Sequence, residues 1–246
     1  MNLFKSGSSL LFTGAVILLT SCGSGGNDKT TTADSTAAAD SAAKAKAAST
    51  IVTTPTNIVE VTHKVANYEK WLAAYEAHDS ARLAAGLHNY VIGRGLEDSN
   101  MVLVALKCDD TAKAKAFAKD PGLKAAMKKG GVLGTPTISI STETWQDTVT
   151  LAPNTIRSVA TFTVKDWDAF VKQFESDKQE RLDNGIMDRV VGHDLDDNKK
   201  VSIVTALSDS AKATAYHKSD ALKKRMEAAG VVGEPARFLF RIVKMN

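Results

Sequence analysis

Along the chain, apolar positions switch between two periods. Ile58-Val59-Glu60-Val61-Thr62-His63-Lys64-Val65 sets Val59, Val61, His63 and Val65 on one side, the alternation of a strand. Tyr68, Trp71, Leu72 and Tyr75 then recur at three- and four-residue intervals. That spacing predicts a helix opening at Asn67, a good N-cap, and ending near Gly86, where a left-handed cap belongs. Residues 87–95 and 101–107 read as strands around the turn-rich Glu97-Asp98-Ser99-Asn100. A second helix is predicted over 111–129, with Ala112, Ala116, Leu123 and Met127 on its apolar face, and a last strand follows Pro136. The same series recurs later. Its strands are 156–164, 186–195 and 200–207, its helices begin at Asp166 and at 209, and its last strand follows Pro235.

This recurrence is a gapless duplication. Residues 62–136 match residues 161–235 at a constant offset of 99, with 24 identities in 75 columns. The clearest stretch is Gly131-Val132-Leu133-Gly134-Thr135-Pro136 against Gly230-Val231-Val232-Gly233-Glu234-Pro235. A unit this long is a whole small domain rather than a solenoid repeat. The expected fold class is α+β, with two ferredoxin-like βαββαβ repeats at 57–142 and 156–246. Residues 143–155 serve as a linker or an extra strand. A sheet with both helices on one face leaves its other face bare. Strands 101–106 and 200–206 are apolar on both sides, so that face should be covered, most simply by the other copy.

At this point the chain resembles the dimeric α/β-barrel superfamily, which includes the antibiotic-biosynthesis monooxygenase-like proteins. The resemblance spans 58–142 and 156–243. It rests on the entries to the first helices (Val65-Ala66-Asn67-Tyr68 and Val164-Lys165-Asp166-Trp167), the Arg…Gly exits and the Gly-Val-x-Gly-x-Pro tails. It implies two repeats packed sheet to sheet within one chain, as an intramolecular version of the homodimers common in the superfamily. The features mark a fold more than an activity.

The N-terminus supplies an address. Residues 1–21 hold one charge, Lys5, then an apolar run from Leu10, the pattern of an export signal. They end in Leu19-Thr20-Ser21-Cys22, which resembles the lipobox of bacterial lipoproteins; the resemblance implies cleavage before Cys22 and thioether lipidation there. Two or three acyl chains would anchor the protein stably. Gly23 rather than Asp implies sorting to the outer membrane. Residues 22–56 are rich in Gly, Ser, Thr and Ala without an aromatic, so the lipidated Cys22 is expected to head a disordered tether.

Net charge is +3, falling to +2 without Lys5, and charges of both signs are interspersed, so no nucleic-acid partner is expected. No metal site can be written from five scattered histidines, and no nucleophile elbow or cofactor motif is present. Cys108 aligns with Leu207 and reads as a buried small residue. Where the copies differ, the alternate residues of the second strands are His88, Tyr90, Ile92 and Arg94 against Met187, Arg189, Val191 and His193. Simple alternation places these between the sheets, making His88, Tyr90, Arg94, Arg189 and His193 the candidate ligand-cavity residues. The alternative is an ordinary packing layer with polar ends at its rim. His63, matched by Phe162, reads as a packed, hydrogen-bonded histidine before a ligand contact. His217 is the weaker candidate, because haem enzymes with two ferredoxin-like repeats use a helical histidine; no other motif supports haem. Arg82 and Arg181 suit the negative end of the first helices. The expected function is a membrane-anchored, non-catalytic module that binds a small organic ligand or an envelope protein. The alternative is a cofactor-independent, monooxygenase-like enzyme acting on a small oxidisable substrate between the sheets.

Overall fold

The computed structural model describes residues 49–246; the expected signal peptide, the lipidation site at Cys22 and most of the tether lie outside the described residues. A short strand, β1 (Ile51–Val52), is followed by β2 (Thr56–Val65), α1 (Tyr68–Ala77) and α2 (Asp79–Ala84). Then come β3 (Leu87–Gly95), β4 (Met101–Cys108), α3 (Thr111–Phe117), α4 (Pro121–Gly130) and β5 (Val132–Asp147). The second copy repeats the order with β6 (Ile156–Val164), α5 (Trp167–Ser176), α6 (Lys178–Asp183) and β7 (Ile186–Asp194). It ends with β8 (Lys200–Leu207), α7 (Ser210–His217), α8 (Asp220–Ala228) and β9 (Val231–Met245).

The two sheets do more than stack. All pairings are antiparallel, in the order β1-β5-β2-β4-β3-β9-β6-β8-β7, and β5 also pairs with β7. Eight strands therefore close on themselves, which leaves those strands without open edges. The long last strand of each copy makes the closure. β5 pairs with β2 from Val132 to Glu143 and with β7 from Ser141 to Gln146; β9 likewise pairs with β6 from Val231 to Arg241 and with β3 from Phe240 to Met245. The chain between the copies is thus partly strand, since β5 runs to Asp147, and residues from Thr148 to Thr155 cross to β6. Ile51 and Val52 pair with Asp147 and Gln146, so the expected tether ends before residue 56.

Each expected long helix is two short ones. The first helices break at His78 and Asp177, and the second at Asp120 and Ser219. Asp120 caps the next helix, with Pro121 at its first turn, and Ser219 accepts from the Leu222 amide. These caps restart a helix that the apolar pattern alone reads as continuous. Gly86 and Gly185 have φ of +70° and +72°, as a left-handed cap requires.

Separate cores lie between the sheet and the helices of each copy. Val65, Trp71, Ile92, Val102 and Leu106 fill the first, with the buried Cys108. Ala160, Val164, Phe170, Val191 and Val201 fill part of the second. Arg82 and Arg181 are inside the fold rather than merely near a helix end. Arg181 donates to Asp188 through Nε and Nη2 at 2.8 and 2.7 Å, both groups buried, and its guanidinium stacks 3.5 Å above the Phe174 ring. Arg82 stacks on Tyr75 and donates to the Tyr75 carbonyl and to Asp79.

Candidate functional site

What faces the barrel lumen follows from strand parity. Val59, Val61 and His63 of β2 face the helices, which leaves Ile58 and Glu60 facing inward. Leu103, Ala105 and Lys107 are the inward residues of β4. The second strands break the simple rule. β3 pairs with β4 up to Asn89 and resumes at Val91, and β7 skips between Asp188 and Val190 in the same way. The extra residue is a β-bulge, and one inserted residue swaps the two faces for everything after it.

The bulge sorts the candidate residues. Tyr90 and Arg189 are the bulged residues and face the lumen, as do Val91, Val190 and Gly192. Arg94 and His193 lie beyond the bulge and turn to the helix side. The Arg94 guanidinium sits 4.1 Å over the Tyr68 ring, and His193 packs edge-on against Trp167 at 4.7 Å. His88 stands half-exposed, its Nε2 2.6 Å from Asp109 Oδ2, outside the cavity lining. Placing Arg94 and His193 in the cavity assumed unbroken alternation, and the bulge overturns it; His88 precedes the bulge and is drawn out of the lining by its exposed contact with Asp109.

The lumen encloses about 710 Å³. Its apolar part is built from Leu103, Val159 and Phe240, with Ala105, Val204, Phe238 and Ile242 packed around them. Its polar part gathers Glu60, Tyr90, Lys107, Glu143, Gln146, Asp147, Arg157 and Arg189, closed over by residues 148–155. Burial raises the Glu60 carboxyl from 4.5 to about 7. Glu143 is also pushed up to about 7, by burial first and then by the charge of Glu60; Lys107 and a 2.5 Å hydrogen bond donated by Gln146 act against this. The Lys107 ammonium lies 4.7 Å from the Tyr90 ring centroid. Two carboxyls that titrate near neutrality beside a phenol and an ammonium can exchange protons with a bound molecule. Sequence reasoning missed Glu60, Lys107, Glu143, Gln146, Asp147 and Arg157. The signal for Glu60 was its place between Val59 and Val61, opposite in parity to a core-facing stripe.

Two smaller cavities lie under the helices, each about 70 Å³. His63 lines the first, packed 5.5 Å from the Trp71 ring. It is 5% exposed, yet among the described residues neither ring nitrogen has a hydrogen-bond partner, contrary to the expected hydrogen-bonded histidine. Burial accordingly lowers its pKa to about 4. His217 lines the second with Phe162, Phe170 and Phe174. Burial, then the charge of Arg237, lowers its pKa to about 4. That space is far below the roughly 300 Å³ at the small end of ligand pockets. The residues around His217 do not fit a haem. No cluster of potential metal ligands occurs among the described residues.

No protein-family model matches the chain, and no curated protein matches it. Solved structures do. An anthrone oxidase-like protein aligns with a TM-score of 0.54 and 14% identity, over 80% of this chain and 95% of that one. A proposed chlorite dismutase aligns with a TM-score of 0.53 and 14% identity, over 77% and 96%. The fold is that of the ferredoxin-like dimeric α/β barrels. A proposed monooxygenase from Fusobacterium nucleatum subsp. nucleatum aligns with a TM-score of 0.50 and 12% identity, over 78% and 94%. At these identities the likeness concerns the fold alone, and chemistry has to be argued from this chain's own lumen.

Proposed function

We propose that this protein is a membrane-anchored, extracytoplasmic binding module that holds one small organic molecule in its barrel lumen. The lumen volume carries the reading. About 710 Å³ lies within the 300–1,000 Å³ typical of ligand sites, and its wall combines an apolar floor with a few convergent polar groups. A purely structural barrel would gain stability by filling that space with side chains. The anchor is supported by the run from Lys5 to Cys22 in the sequence. Gly23 favours the outer membrane.

A second reading has one observation behind it. Glu60 and Glu143 titrate near pH 7 inside the lumen, where a carboxylate could take a proton from a bound phenol or enol. That is the first step expected of a cofactor-independent, monooxygenase-like enzyme. Native mass spectrometry of full-length protein purified from its host membranes tests both. The binding reading expects one small organic molecule released intact on activation. An oxygenated product formed from an added phenol under air would favour the enzyme. A chain that carries no ligand and takes up no small organic probe overturns both readings. Cys22→Ser should abolish incorporation of radiolabelled palmitate and release the protein from the membrane; unchanged labelling would refute the anchor.

A further inference from the structure

We propose that Arg157 and Arg189 form a carboxylate-binding subsite within the lumen, so that the ligand is a small amphipathic organic acid bound as its monoanion. The inference rests on the lumen-binding reading and adds the chemical class. Both guanidiniums line the lumen beside its apolar part. Arg157 makes no ion pair among the described residues; its Nη1 donates to the Thr155 carbonyl at 3.3 Å. Arg189 donates from Nη2 to the Val149 carbonyl at 2.7 Å, while its Nη1 lies 3.4 Å from Asp147 Oδ2. That contact is close enough for charge attraction but makes no hydrogen bond, so Nη1 is buried without an acceptor among the described residues. Burial and the neighbouring Arg189 both lower the Arg157 pKa, as expected of cations short of counter-charge.

Buried guanidiniums are stable when a planar acceptor meets their fork of donors, and a carboxylate supplies two parallel oxygens. Asp147 matches one of the two guanidinium charges, which leaves one guanidinium charge for a ligand carboxylate. The other charged or titratable groups facing this space are Lys107 on β4, Tyr90 on β3, Glu60 on β2 and Glu143 on β5. Around pH 6 the two glutamates are largely protonated and do not compete. Above pH 8 they are ionised and repel an anion. The preference for an anion should therefore weaken as pH rises.

Calorimetric titration of full-length protein with 2-naphthoate, and with 2-naphthamide as its neutral isostere, tests the proposal. We expect naphthoate to bind at least tenfold tighter at pH 6 and that advantage to shrink several-fold by pH 8. Arg157→Gln and Arg189→Gln should each remove the advantage while amide binding persists. If a Gln variant does not fold, Arg157→Lys, which keeps the charge but loses the fork, should still cost most of the preference. Equal affinities for the two probes would overturn the carboxylate subsite and leave lumen binding standing. Failure of both probes to bind would overturn the subsite and the lumen reading together. A naphthoate preference that Arg157→Gln leaves intact would place the anion elsewhere and refute the assignment.

Discussion

Replacing Glu143 by Gln should stabilise the protein at alkaline pH and leave it unchanged in acid. Glu143 is 8% exposed, and its carboxyl is raised from 4.5 to about 7. A folded-state value above the unfolded one means that the native state binds the proton more tightly. The stability linked to this group is complete below pH 4.5 and is lost as pH rises through about 7. A rise of that size corresponds to about 3 kcal/mol. Gln is neutral throughout, and its side-chain oxygen can still accept from Gln146, so the substitution removes the ionisation without removing the bond. Urea unfolding followed by circular dichroism at pH 5, 6, 7 and 8 measures the effect. The variant should be more stable by only about 1 kcal/mol at pH 5, and by about 3 kcal/mol at pH 8. Because Glu60 contributes to the Glu143 shift, the double variant with Glu60→Gln should gain less than the sum of the single ones. Parallel pH profiles for wild type and E143Q would refute the claim that this carboxyl is desolvated in the lumen.

Two further outcomes concern the helix side. His63→Phe should stabilise the protein by about 1–3 kcal/mol at pH 7, since it removes a buried ring with two unpartnered nitrogens and installs the residue that Phe162 supplies in the other copy. The wild-type imidazole is depressed to about 4, so its share of stability is complete above pH 6.5 and falls away toward pH 4; H63F should lose that acid sensitivity, and a destabilised variant at pH 7 would show that the ring has a partner. Arg181→Met should cost about 3–5 kcal/mol in denaturant unfolding, because Asp188 would stay buried and unpaired. Adding Asp188→Leu should restore most of that loss, and an R181M loss below 1 kcal/mol would mean that the pair is solvated.

Much of the fold was legible because duplication and periodicity are global signals. The offset of 99 survives any local error, and the valine-rich strands with capped, amphipathic helices fix element type. The site was less legible because it depends on parity, which one residue can reverse. Tyr90 and Arg189 were identified as inward-facing, yet Arg94 and His193 were misplaced by the bulge that sits between them and the strand start. Nothing in Asn89-Tyr90-Val91 or Asp188-Arg189-Val190 announces a bulge, since neither segment holds a glycine or proline. Closure was also hidden, because the pairing of β5 with β7 depends on strand length, and Glu143 to Asp147 read as a linker or a separate extra strand rather than as the end of β5.

The two halves of the lumen are chemically unlike, and this bears on what the lumen holds. Positions related by the offset of 99 pair Ile58 with Arg157, Glu60 with Val159 and Tyr90 with Arg189. They likewise pair Leu103 with Ser202, Ser141 with Phe240 and Glu143 with Ile242. In most of these pairs one copy presents a polar or ionisable group and the other an apolar one. On the helix side most matched positions keep their chemistry, as Leu87 with Ile186, Val102 with Val201 and Arg82 with Arg181 do, with His63 against Phe162 and Leu106 against Thr205 as exceptions. Packing against helices asks the same of both copies, so similar residues serve. Two identical chains would line a barrel with two-fold symmetry, and a molecule on that axis would meet every group twice. Joining the copies in one chain lets each wall differ, so one end of a ligand can meet a charge while its body meets Phe240 and Ile242. An interior that only had to be filled would gain nothing from buried carboxyls and guanidiniums, each costly to desolvate. The asymmetry therefore fits a single, polarised occupant better than inert filling.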